Sequence, residues 1–88
     1  MRVDLLLKRL CILKSRTLAR EACDRGKVFL NDKPARGSAT VRSGDTIRLE
    51  LGPRTLEIKT LMIPQGAVAK KNAPDYYDVI RDEREELD

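Results

Sequence analysis

The chain has 88 residues, enough for one small hydrophobic core and too few for a nucleotide-binding fold, a closed barrel or a two-domain enzyme. Lys and Arg number 18 against 14 Asp and Glu, and a net charge of +4 favours a polyanionic partner. His is absent, which excludes imidazole catalysis and histidine-ligated metal.

The charge is unevenly distributed. Residues 1–63 carry 14 cations against 7 acids, and residues 64–88 carry 4 cations against 7 acids. A basic body with an acidic tail is a pattern of nucleic-acid binders, and the alternative is a merely solvated surface. Cys11 and Cys23 stand twelve residues apart, outside any zinc-ligand spacing. Both are expected on apolar helix faces as small, reduced core side chains. No leader and no run of roughly 18 apolar residues is visible, so a cytoplasmic protein without membrane contact is expected.

Val3, Leu6, Leu7 and Leu10 follow helical spacing and predict an amphipathic helix over roughly residues 3–13. Asp4 falls in its first turn, where a carboxylate suits the helix dipole. Lys8 and Arg9 lie on the outer side, and Arg2 precedes the helix. Ser15 offers an N-cap for a second helix, about Arg16 to Arg25, with Leu18, Ala19, Ala22 and Cys23 as its apolar stripe and Gly26 as its stop. Arg16 and Arg20 are i, i+4 neighbours and repel each other unless an anion sits between them. Glu21 and Asp24 are the nearby acidic residues.

Beyond Gly26 the period changes to two. Lys27–Leu30 reads as a strand, Asn31-Asp32 as a tight turn and Lys33–Ala35 as the start of a short return with Pro34 on an edge or at a bulge. Thr40-Val41 is a further extended piece. Thr46–Leu51 alternates, Gly52-Pro53 breaks it, and Arg54–Ile63 alternates again. A helix pair followed by a small, mostly antiparallel sheet is an α+β fold. Residues 64–88 are read as a separate acidic tail, a linker followed by a short helix opened by Pro74. Tyr76, Tyr77, Ile80 and Leu87 would share its apolar face. That face either packs back on the sheet or docks a protein partner, and removal of the tail is expected to spare affinity for a polyanion.

Four blocks in order carry a family resemblance: Arg2-Val3-Asp4-Leu5-Leu6, Ser15-Arg16-Thr17-Leu18-Ala19-Arg20, Gly26-Lys27-Val28-Phe29-Leu30-Asn31-Asp32, and Gly44-Asp45-Thr46-Ile47. Over residues 1–51 the chain resembles the RNA-binding domain first seen in small-subunit ribosomal protein S-four, the alpha-L motif. Val3 stands where Leu is usual, and Asp32 where Gly follows the turn Asn. The resemblance implies an RNA face on the two helices and the following turn, with Arg2, Arg16 and Arg20 on phosphates. It places Lys27, Asn31 and Lys33 along the adjoining strand and turn, and makes Asp4 an orienting residue. Guanidinium forks suit phosphate oxygens. Single-strand readers stack bases on aromatic rings, and the basic body holds only Phe29, so structured RNA is the expected ligand.

Small size and the run Asn72-Ala73-Pro74-Asp75-Tyr76-Tyr77-Asp78-Val79-Ile80 resemble the family of the ribosome-associated quality control protein P, beside the short relatives of heat shock protein fifteen. This implies a monomeric, non-catalytic protein without cofactor or metal. It would bind rRNA of the large ribosomal subunit and peptidyl-tRNA, meet a quality-control elongation factor, and assist alanine tailing of stalled chains. The alternatives are rescue of stalled subunits, rRNA maturation or DNA binding.

Overall fold

The computed structural model describes residues 1–85. The elements are α1 (Val3–Arg9), α2 (Arg16–Asp24), β1 (Val28–Leu30), β2 (Lys33–Pro34), β3 (Thr46–Leu51), β4 (Arg54–Thr60), a 3-10 turn (Ala73–Tyr76) and β5 (Tyr77–Arg84). The strands form one antiparallel sheet in the order β2-β1-β3-β4-β5, and with the helix pair they make an α+β fold.

The stripe of α1 becomes the core. Val3, Leu6, Leu7 and Leu10 are buried with Ala19 and Cys23 of α2 and with Val28, Ile47, Leu49, Leu56 and Ile58 of the sheet. The expected extension of α1 to residue 13 does not form. Cys11 takes a left-handed φ of 59°, and the N–H groups of Ile12 and Leu13 both donate to the carbonyl of Leu7. A left-handed residue cannot propagate the helix. The turn lets Ile12 and Leu13 pack against the core but swings Cys11 into solvent. Of the two cysteines expected in the core, only Cys23 is there. α2 starts as predicted, with the Leu18 N–H donating to Ser15 Oγ at 3.1 Å.

Asn31 and Asp32 have φ of 50° and 68°, a two-residue hairpin turn with both central residues left-handed. Pro34 sits on the edge strand, where its missing N–H costs no ladder bond. Phe29, Arg48, Glu57 and Arg81 stand in one row across β1, β3, β4 and β5 on the sheet's outer surface. Arg48 covers the Phe29 ring at 4.2 Å and reaches Asp32 at 2.9 Å. Arg54 meets Asp82 through two N–H donors at 2.9 and 3.0 Å, holding that carboxyl below the usual range. The charges of this surface thus largely satisfy one another.

The helix expected after Pro74 shrinks to the single 3-10 turn, and from Tyr77 the chain is extended. Without β5 the seven residues of β4 would present an unpaired edge. The β-branched pair Val79-Ile80 suits a strand. β5 runs from Thr60↔Tyr77 to Arg54↔Arg84, with an irregularity that skips Ile80 between the pairs Ile58↔Val79 and Glu57↔Arg81. Tyr76 and Tyr77 pack against the core, so this part of the segment read as a tail is built into the body. Glu86, Leu87 and Asp88 lie outside the described residues. Among the described residues, no helix is long and apolar enough to cross a membrane.

Candidate nucleic-acid interface

Asp4 projects from the first turn of α1 and its side chain is 0% exposed. A burial this complete demands partners, since a lone carboxylate loses its hydration. Oδ1 accepts from the Leu5 N–H at 2.7 Å. Arg2 donates from Nε at 3.3 Å and from Nη2 at 3.2 Å. Arg16 Nε lies 3.4 Å from Oδ1, and Arg20 Nε 3.9 Å from Oδ2. The anion required between Arg16 and Arg20 is therefore supplied by α1, and not by Glu21 or Asp24 of their own helix.

The loop between β2 and β3 closes over this carboxylate. The Val3 N–H donates to Ala39 O at 2.9 Å, and the Asp4 N–H to Gly37 O at 3.2 Å. A β-carbon on residue 37 would stand 3.0 Å from Asp4 Oδ2, so glycine is what allows the loop its approach. Thr40 makes an isolated bridge to Arg2 and fixes the start of α1 from outside.

The side chains of Arg2, Arg16 and Arg20 remain 48%, 39% and 55% exposed. Arg16 and Arg20 turn Nε toward Asp4 and Arg2 spends Nε and Nη2 on it, which leaves the terminal N–H groups of Arg16 and Arg20 and Nη1 of Arg2 for an external ligand. Three guanidiniums around one carboxylate retain a local surplus of positive charge. Planar forks oriented in this way match phosphate oxygens in bidentate geometry.

Arg36 is a residue that the sequence patterns do not single out. It lines a cleft of about 470 Å³ with Arg2, Arg20, Asp24 and Ser38. It also lines a neighbouring groove with Asn31, Lys33 and Pro34, and so joins Lys33 to the arginine cluster. The Arg36-Gly37 pair in an otherwise featureless loop is the only local signal of it. Asn31 has a structural role. Its Oδ1 accepts from the Thr46 N–H at 2.9 Å, and its Nδ2 donates to Asp45 at 3.1 Å. Lys27 stands apart, at the α2–β1 junction beside Glu21, Arg25 and Glu50. The residues expected at the RNA face thus divide into the convergent Arg2, Arg16 and Arg20, an adjoining Lys33, a turn-holding Asn31 and a separate Lys27.

Cys23 lies next to this centre, and its thiol is pushed up to about 11, chiefly by burial and further by the charges of Asp4 and Asp24. Among the described residues, no cluster of three or more Cys, Asp or Glu gathers as a cation site.

A helix pair that aims a cationic cluster outward from a buried carboxylate, set on a small antiparallel sheet, defines an RNA-binding module. The S4 domain pattern matches residues 1–47, and the chain belongs to the S4-domain family. Over most of its length it is similar to bacterial proteins named RQC P-site tRNA stabilizing factor. The one from Listeria monocytogenes is 32% identical over 84 residues, covering 96% of this chain and 90% of the relative. The one from Helicobacter pylori is 39% identical over 74 residues, covering 84% and 83%. The trimeric structure of Vibrio cholerae Heat Shock Protein 15 superposes with a TM-score of 0.83 at 29% identity, over 90% of this chain and 80% of that one.

Proposed function

We propose that the arginines around Asp4 grip the phosphate backbone of structured RNA on the large ribosomal subunit. Arg2, Arg16 and Arg20 form the grip, and Lys33 and Arg36 extend it along the β2–β3 loop. Asn31 serves by holding the turn, and Lys27 contributes long-range charge from the margin. The observation that carries this reading is the fully buried Asp4 with three guanidiniums directed at it and their outer edges open.

The protein acts without catalysis, as a cytoplasmic monomer that holds rRNA and a peptidyl-tRNA in place during ribosome-associated quality control. It works beside an elongation factor and supports addition of alanine tails to stalled chains. The names of the relatives support the ribosomal setting. A second reading is rescue of a stalled large subunit, which the family resemblance of the sequence implies as an alternative.

The test is sedimentation of the tagged protein through a sucrose gradient, with sequencing of the RNA that travels with it. Co-migration with large subunits carrying peptidyl-tRNA is expected. Protein found only at the top of the gradient would exclude the ribosomal role.

A further inference from the structure

We infer that the protein has a second seat for an RNA backbone, a basic groove between the solvent face of α1 and the segment 67–70. This rests on the reading of the protein as an RNA binder, and it adds a surface that shares no residue with the cleft lined by Arg2, Arg20 and Arg36. The groove has a volume of about 540 Å³. Its charged residues are Lys8, Arg9, Lys14 and Lys70, and no acid lines it.

The groove is a product of folding. Pro64 and Ala73 are buried and tether the segment at both sides. The N–H groups of Asn72 and Ala73 donate to Ala69 O at 2.9 and 3.1 Å. Cys11, turned outward by its left-handed backbone, places its Sγ 3.8 Å from Val68 O. Lys70, far away in sequence, is thereby carried to the end of α1.

The groove gathers four cations and no acid in its lining, unlike the sheet surface and the Asp4 cluster. Arg48, Arg54 and Arg81 each meet an acid on the sheet, and Arg2, Arg16 and Arg20 meet Asp4. Among the described residues, none of Lys8, Arg9, Lys14 and Lys70 forms an ion pair. Four like charges around one concavity repel each other until a polyanion enters, and binding then releases its counterions. Leu5 and Val68 supply an apolar wall against which a ribose can lie.

RNA is favoured over an acidic protein because the two basic sites adjoin opposite ends of one short helix. Arg2 lies at the start of α1, and Lys8 and Arg9 at its end, about 10 Å along the axis. RNA held at the first site therefore has phosphates within reach of the second.

The experiment is a salt titration of binding to a ribosomal RNA hairpin and to a transfer RNA, separately and together. It compares the wild-type chain, Arg16→Ala, and the triple change Lys8→Ala, Lys14→Ala, Lys70→Ala. These lysines are exposed, and circular dichroism verifies that the triple variant folds. Its slope of log K against log salt should flatten by about 2–3 units, close to 0.9 for each phosphate no longer neutralised. Simultaneous binding of both RNAs would mean that two molecules fill the seats. Mutual displacement would mean that one molecule spans them, and the triple variant weakens in either case. Lysine acylation gives an independent readout, with Lys8, Lys14 and Lys70 protected by RNA and Lys59 of the sheet left reactive. If Arg16→Ala weakens binding while the triple variant matches wild type, the second seat is refuted and the first stands. If the wild-type chain binds neither RNA, both fall. Protection of the three lysines by polyglutamate but not by RNA would overturn the assignment in favour of an acidic protein.

Discussion

Gly37 lies directly against Asp4: a β-carbon there would stand 3.0 Å from the carboxylate oxygen Oδ2 and 3.4 Å from the Asp4 β-carbon. The loop carrying Arg36 is thereby joined to the helix carrying Asp4. Gly37 has no left-handed φ, so its necessity comes from this close approach. Asp4 cannot easily retreat, because its oxygens are engaged by three arginines and a backbone N–H.

Gly37→Ala is accordingly expected to destabilise the domain by about 1–3 kcal/mol, the range for overpacking a filled site. It should also weaken RNA binding by shifting Arg36. Urea unfolding and an RNA titration measure the two effects, and wild-type values in both would remove the steric role given to this glycine.

Asp4→Asn raises the net charge by one and should nevertheless reduce RNA affinity. Without the carboxylate the three guanidiniums repel each other and lose their common orientation. The loss of stability should be about 1–3 kcal/mol, below the full value for a broken buried pair, because the arginines are about 40–55% exposed and solvent screens them. Tighter RNA binding by the variant would show that charge alone governs affinity and that Asp4 orients nothing.

Truncation before Tyr77 should unfold or aggregate the protein. It removes the strand that covers β4 and takes away the core contacts of Tyr77. Thermal unfolding and light scattering of the shortened chain test this, and an unchanged melting temperature would mean that β5 adds nothing to the sheet's stability.

Cys23 links stability to alkaline pH. Its thiol sits at about 11 when folded, against 9.0 as the ordinary value. The folded chain keeps its proton in a range where the unfolded chain gives it up, so this contribution is complete below about pH 9 and is lost as pH rises toward 11. Near neutrality a thiol reagent should modify exposed Cys11 quickly and Cys23 slowly, with equal rates in denaturant. Equally fast modification of both in the folded protein would contradict the burial of Cys23.

Much of the framework was legible because it is encoded locally. The spacing of Val3, Leu6, Leu7 and Leu10 marks one face of a helix, Ser15 caps the next, and Asn31-Asp32 tolerate the left-handed turn. The alternation of Thr46–Leu51 appears as a strand with Ile47 and Leu49 inside. Arg16 and Arg20 stand out by type and spacing, and Arg2 through the family resemblance. Cys11 lies outside the core because one left-handed residue ends α1 four residues early, which apolar periodicity does not register.

Residue type and periodicity alone establish which residues face inward, where the chain turns, and that Arg16 and Arg20 need an anion between them. It took the assembled fold to show that the anion is Asp4, that Gly37 admits the loop bearing Arg36, that Lys70 shares a groove with Lys8, and that Tyr77–Arg84 is a strand. Periodicity reports how a segment is oriented relative to a core. It carries no information about which distant segment will lie opposite, because that choice is made by packing and edge pairing once all the elements are present.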